Sequence, residues 1–199
     1  PPPQRKPRDL PAGAGPLLAQ ADRDLDAGRL AQAEQKYREL LRQDETHLIP
    51  LTRLAGLLID QNKLEEAEKF LETALKTDPD DPGTRYLLGS LRARQERYDE
   101  ALDHLSRSAA AAPDNAQTQF MLGRVLAQQG QRQPAETALR KAILLKPGWG
   151  EAHYALAVVY ATHQPPLREL AQWHYKKARA AGVPANAEFE KTIQEVANR

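Results

Sequence analysis

The chain has 199 residues, 41% hydrophobic and 28% charged, which is enough for one large domain or two small ones. Its 28 Lys and Arg against 27 Asp and Glu leave a net charge of +1, which argues against a surface that tracks nucleic-acid phosphates. The absence of cysteine excludes disulfides, zinc–thiolate sites and thiol catalysis, and no apolar run approaches the ~18 residues that span a bilayer. The first residue is Pro1 and the only methionine is Met121, so a segment upstream of Pro1 is expected, and a removed signal peptide or membrane anchor would fit it. The compartment is therefore left open: a cytoplasmic soluble domain, or one exported or membrane-tethered through that segment.

In chain order, the stretch PPPQRKPRDLPAGAG comes first, with five prolines, two glycines and no apolar period. Residues 1–13 are expected to be an extended or disordered lead-in. From residue 14 the pattern is helical and recurrent. EEAEKFLETALK carries Ala67, Phe70, Leu71, Ala74 and Leu75 at spacings of three and four, one face of an amphipathic helix. Pro79 follows that helix and Pro82 opens the next, the positions where proline is tolerated. Pro79, Pro113 and Pro147 are 34 residues apart, as are Leu54, Leu88, Leu122 and Leu156, and as are Ala33, Ala67, Ala101 and Ala135. A small residue follows each of those leucines: Ala55, Gly89, Gly123 and Ala157. The expected repeats are about 14–47, 48–81, 82–115, 116–149 and 150–185. The first is the weakest, with Gln20 in the leucine column and Glu45 in the proline column. In the fifth, Ala171, Tyr175 and Ala178 stand 36 residues past their counterparts, so two residues have entered the turn around THQPP. The last segment, 186–199, places Phe189, Ile193 and Val196 on one face behind Asn186 as N-cap, and a capping helix is expected.

The columns have a direct physical reading. A small residue after the leucine lets two helices approach, and the later alanine does the same from the second helix. Tyr37, Leu71, Leu105 and Leu139 fill the space between layers. One helix pair cannot bury its apolar face alone, whereas stacked neighbours share a continuous core. The 34-residue period with leucine, small residue, later alanine and closing proline resembles the tetratricopeptide repeat family across roughly residues 14–185. That resemblance implies an all-α fold, a right-handed superhelical solenoid of about five helix-turn-helix repeats with a C-terminal capping helix.

Catalytic patterns are absent from the sequence. GAGPLL has no preceding strand, and Leu18 stands where the third glycine of a dinucleotide loop belongs. None of Ser90, Ser106 and Ser108 lies in G-x-S-x-G, and no two of the five histidines have the i, i+4 spacing of a helical metal site. Asp22 and Asp26 share a face, which reads as a solvated surface. An enzyme is not expected, and neither is a cofactor or a metal.

By resemblance, the first helix of each pair lines an inner groove. Leu18, Thr52, Tyr86, Phe120 and Tyr154 form one inward column. Asp22, Gly56, Ser90, Arg124 and Val158 form a second, and Asp26, Asp60, Arg94, Gln128 and Thr162 a third. The groove is expected to be acidic near the first repeats and aromatic, with arginine, in the middle. The candidate binding residues are Arg53, Tyr86, Ser90, Arg94, Phe120, Arg124, Gln128 and Tyr154, since Tyr and Arg are favoured interface anchors. Asparagine occurs only at Asn62, Asn115, Asn186 and Asn198, so the groove patterns of carboxylate-clamping and sugar-transferase members are absent. The expected role is a scaffold or adaptor whose groove holds a protein or peptide with apolar and acidic side chains. The alternatives are a self-associating assembly protein, with Trp173 as a seed unless it lies over the THQPP turn, or the interaction domain of a larger membrane-anchored or enzymatic protein. Arg85 and Arg92 stand where the family prefers aromatics; their stems are expected to pack while the guanidinium groups reach water or Glu65, Glu68 and Glu72.

Overall fold

The structure is a computed structural model that describes Pro11 and residues 13–194. Most of the expected lead-in, and Val196 of the terminal helix, lie outside the described residues. Among those described there are eleven helices and no strand: α1 Ala14–Asp26, α2 Leu30–Gln43, α3 Leu48–Asp60, α4 Leu64–Thr77, α5 Pro82–Arg94, α6 Tyr98–Ala111, α7 Ala116–Gln128, α8 Arg132–Leu145, α9 Gly150–Ala161, α10 Arg168–Ala180 and α11 Ala187–Gln194. The fold is all-α, a succession of helix-turn-helix pairs. The chain divides into two compact units between Gln95 and Glu96.

The first unit holds α1 to α5. Its core is built from the small-residue columns, Ala21, Ala33, Ala55 and Ala67, with Tyr37, Leu54, Leu58 and Leu71 between them, all fully buried. Each large aliphatic side chain removed from water in this way contributes ~1.5–3 kcal/mol. Asp24, near the end of α1, accepts from Arg29 at 2.7 Å and from Lys36 on α2, which ties the first helix pair together. The Lys36 ammonium, then the Arg29 guanidinium, hold its carboxyl below the usual range. Pro82 starts α5, and Asp81 caps it by accepting from the Thr84 amide at 2.6 Å.

The second unit holds α6 to α11. Ala101, Ala135, Ala157 and Ala171 are fully buried beside Leu105, Leu139 and Leu156. The requirement for a small residue is sharpest at Gly123, where a Cβ would lie 2.6 Å from the Leu139 Cγ and 3.2 Å from the Ala135 carbonyl oxygen. Asn115 caps α7 through the Thr118 amide at 3.0 Å, and the buried Ser108 and Thr118 hydroxyls, 3.2 Å apart, join α6 to α7. At the end of the unit, Asn186 accepts from the Phe189 amide at 3.0 Å and so caps α11. Tyr175 on α10 donates to Glu190 at 2.7 Å, Gln172 donates to the Ile193 carbonyl at 2.9 Å, and Ile193 is buried.

Two turn devices recur at the repeat period. Gly28, Asn62, Glu96 and Gly130, each 34 residues on, have positive φ of 71°, 59°, 59° and 71° between the helices of a pair. In three of these turns the next amide, from Arg29, Lys63 or Gln131, reaches back to the carbonyl of Asp24, Leu58 or Leu126, the Schellman closure that a left-handed residue permits. Between pairs, the carbonyl of the helix-ending proline is satisfied by a side chain six residues on. Arg85 donates to Pro79 at 2.7 Å, Gln119 to Pro113 at 3.1 Å, and His153 to Pro147 at 3.0 Å. Arg92 reaches the expected carboxylate, Glu68, and also Gln95 at 2.9 Å. The Arg85 guanidinium differs from expectation in turning to a backbone carbonyl, because the chain leaves the helix there and that oxygen has no helical donor.

Candidate protein-binding surface

In the second unit, α7 and α9 present the side chains that the columns singled out. Phe120, Arg124, Gln128 and Tyr154 line one cavity of about 440 Å³, joined by Ala127, Glu151, Ala155, Val158 and by Val183 from the turn after α10. Phe120 is buried, its ring centroid 4.5 Å from that of Trp149, and the Arg124 guanidinium carbon lies 5.6 Å from the centre of the Phe120 ring. The contact is a cation–π interaction, worth ~0.5–1 kcal/mol at an exposed site. Among the described residues Arg124 has no carboxylate within ion-pair distance. Glu151 sits in the first turn of α9, where the helix dipole favours an anion, and one of its oxygens accepts from the Trp149 indole at 3.3 Å.

Tyr154 is fixed by the end of the unit. Its ring lies 5.4 Å from that of Phe189 and 6.1 Å from that of Tyr175, and its hydroxyl accepts from the Asn186 side chain at 3.0 Å. One edge of this tyrosine therefore packs against α11 while the residue also lines the cavity.

The candidate residues of the first unit are placed differently. Arg53 approaches Asp22 at 3.7 Å, and Asp22 also accepts from the buried Tyr37 hydroxyl at 2.6 Å. Burial first, and Asp22 second, push the Tyr37 phenol well above its ordinary range. Arg94 pairs with Asp60 at 3.3 Å. The acidic end expected of the groove is thus partly neutralised by its own arginines. Tyr86 is half-buried on α5 and belongs to this unit, whereas Phe120 and Tyr154 share the cavity of the other. Ser90 is only 6% exposed and adds little to the surface of the first unit.

A second polar cluster lies away from the cavity. His153 Nε2 meets the Pro147 carbonyl, which only accepts, so this nitrogen carries the proton and Nδ1 of the neutral ring is an acceptor. The His174 Nδ1, 2.9 Å from it, is then the donor. Burial first, then His153 and Arg140, push His174 down to about 4. Trp173 is 51% exposed, and its ring contacts are with His153 and His174 at 6.0 and 4.6 Å, with Lys177 above it at 5.2 Å. No group of three or more His, Asp or Glu is placed to hold a metal among the described residues, and no helix among them is long and apolar enough to cross a membrane.

Two family profiles, both described as tetratricopeptide repeat, match residues 24–91 and 80–145. The chain belongs to the tetratricopeptide repeat family. As such it is a repeat scaffold for protein interaction. This tetratricopeptide repeat chain is similar to the solved structure of MamA, with 25% identity over 81% of this chain and 93% of that one, at a TM-score of 0.66. It is also similar in fold to YrrB, a TPR protein with an unusual peptide-binding site, at 21% identity over 92% of each chain and a TM-score of 0.66. Pseudomonas aeruginosa pilF shares the fold at 18% identity over 92% of this chain and 84% of that one, with a TM-score of 0.79. Among curated protein sequences nothing matches.

The cavity residues that column reasoning missed are Ala127, Glu151 and Val183; Asp22 and Asp60 stand in the columns, but not as partners of Arg53 and Arg94. Asp60 could have been found, since Arg94 lies one period after it in the same column. Val183 carries no signal, because it follows the irregular fifth repeat.

Proposed function

We propose that the cavity lined by Phe120, Arg124, Gln128 and Tyr154 binds a peptide segment of a partner protein, one carrying apolar side chains and a carboxylate. The observation that carries this reading is the state of Arg124. It stands beside an apolar floor with no carboxylate partner among the described residues, while Arg53 and Arg94 already have theirs. A carboxylate arriving there gains a charge-assisted hydrogen bond without displacing another anion. The volume of about 440 Å³ is within the range of sites that enclose a few side chains. YrrB, which shares the fold, has a peptide-binding site; a peptide is assigned here on the chemistry of this cavity. The role proposed is binding, carried by the apolar floor and the guanidinium beside it.

The test is selection of peptides from a displayed random library, followed by titration of a selected peptide against variants. Val158→Arg, which fills the cavity from α9, should reduce affinity by tenfold or more, as expected when a central contact worth ~1.4 kcal/mol or more is lost. Arg124→Ala should cost less but flatten the salt dependence. Circular dichroism confirms that each variant keeps its fold. Selected peptides that bind both variants as tightly as the parent would remove the site from this cavity. Self-association is the second reading, favoured by the exposed Leu170 and Trp173 at 45% and 51%; a molecular mass by light scattering that rises with concentration and falls in Trp173→Ala would support it.

A further inference from the structure

The cavity contains a second charge, and its position restricts the ligand further than apolar and acidic character do. Phe120 on α7 and Tyr154 on α9 are equivalent residues one period apart, and both line the cavity. Arg124 lies four residues after Phe120, while Glu151 lies three residues before Tyr154. Helices α7 and α9 run in the same sense, being the first helices of successive pairs. The two charged positions are therefore offset by seven helical residues, about 10 Å along the helix axes at 1.5 Å per residue. Cation and anion stand at opposite ends of an apolar floor formed by Phe120, Tyr154, Ala155 and Val158. Among the described residues neither charge has an ion-pair partner, and Glu151 uses only one oxygen for the Trp149 indole.

We infer that the occupant is an extended segment carrying an acidic and a basic side chain three positions apart, with apolar residues between them. An extended chain in the polyproline II conformation rises about 3.1 Å per residue with three residues per turn, so two residues three apart share one face and cover the roughly 10 Å axial offset between Arg124 and Glu151. A helical ligand would need seven residues for the same distance. A helix is about 10–12 Å across, so two turns of it displace roughly 800–1,200 Å³, and a cavity of about 440 Å³ would seat a smaller share of it than of an extended segment. Floor contacts hold the apolar residues, while the two rim charges set the direction of the chain and reject segments with the charges reversed. This inference rests on the peptide-binding reading of the cavity given above.

The test is an array of immobilised twelve-residue peptides in a serine–glycine background, each with one Asp and one Lys separated by one leucine at a spacing of two and by two leucines at every longer spacing. The spacing of the charged pair is two, three, four or seven, in both orders, with Asn and Gln controls. Binding of the full chain should peak at a spacing of three in one order, several-fold to about tenfold over the neutral controls. The exchanged variant, Arg124→Glu with Glu151→Arg, should select the opposite order. Glu151→Gln keeps the indole contact and should lose the requirement for the basic residue alone, which covers the case in which the double variant fails to fold. A peak at seven, or binding that needs the Asp but ignores the Lys, overturns this inference and leaves the peptide-binding reading in place. Binding that is indifferent to every charge and unchanged by Val158→Arg overturns both.

Discussion

The turn column Gly28, Asn62, Glu96 and Gly130 allows a test in which backbone strain is isolated from packing. All four residues have a left-handed conformation, with φ between 59° and 71°. A Cβ at Gly28 or Gly130 would meet no atom within 4 Å, so alanine there has room and its cost is conformational only. Glu96 occupies the same conformation with a side chain that is exposed and has no ion pair among the described residues. An L-residue in this region costs ~1–2 kcal/mol, and glycine returns ~0.4–1 kcal/mol of that through the greater freedom of its unfolded chain. Glu96→Gly should therefore stabilise by about 0.5–1 kcal/mol, and Gly130→Ala should destabilise by a similar amount. For a chain of this size such changes move Tm by about 1–4 °C, upward in the first variant and downward in the second. Urea denaturation with an unchanged m-value would show that stability alone has changed. If Glu96→Gly lowers the midpoint, or Gly130→Ala leaves it unmoved, the turn conformation is not what determines the residue type in this column.

Three other expectations follow from contacts in the second unit. Gly123→Ala gains about 1 kcal/mol in helix propensity but forces its Cβ against Leu139, which is fully buried, and against a backbone carbonyl; at ~1–3 kcal/mol, overpacking outweighs the gain, and a stabilised variant in urea would contradict the close approach of α7 and α8. Asn186→Ala removes both the cap of α11 and a hydrogen bond to Tyr154, and should cost about 1 kcal/mol with faster amide exchange at Phe189; unchanged exchange would mean that the cap does not order the helix. His174, faced by His153 and Tyr160 from α9, Glu136 and Arg140 from α8, and Trp173 and Lys177 from α10, is depressed from its ordinary 6.5 to about 4. Below pH 6.5 the unfolded chain binds the extra proton, so this contribution is complete above 6.5 and is lost as pH falls towards 4. After allowance for solvent around a half-buried ring it amounts to ~1–2 kcal/mol, and His174→Gln should lose less Tm than the parent between pH 7 and 4.5; identical losses would refute the assignment.

The repeat was legible because its columns are set by close packing, which tolerates few residue types. Ala33, Ala67, Ala101 and Ala135 are all fully buried, and so are Tyr37, Leu71, Leu105 and Leu139. Half of the turn column was also in plain view, as Gly28 one period before Asn62 and Gly130 one period after Glu96. Contacts made by side chains with several choices of partner were not legible. Arg85 has glutamates nearby in sequence, yet it turns to the Pro79 carbonyl, and the equivalent Gln119 and His153 show that the position serves that carbonyl whatever its charge. Tyr154 reads as one of a row, but its hydroxyl and ring edge are held by Asn186 and Phe189 because the chain returns there after α10. The irregular THQPP insertion hides that return from any 34-residue comparison.

The same limit explains why three arginines that look alike in sequence differ in what each would offer a ligand. Arg53 and Arg94 form exposed pairs with Asp22 and Asp60, each worth ~0–1 kcal/mol. A carboxylate arriving at either must displace an aspartate, so one pair replaces another and the net gain is close to zero. Arg124 instead lies against the Phe120 ring. A guanidinium is planar: its face can stack on an aromatic ring while the N–H groups along its edge donate in the plane. An incoming carboxylate then adds a bond without ending the ring contact, and covering the site from water strengthens both. Arg124→Lys tests this separation, because an ammonium retains the charge but has neither a planar face for the ring nor a fork of edge donors for a carboxylate. Its affinity for a selected acidic peptide should fall towards that of Arg124→Ala, and full retention by lysine would show that charge alone, and not the planar guanidinium beside the ring, is what the proposed site requires.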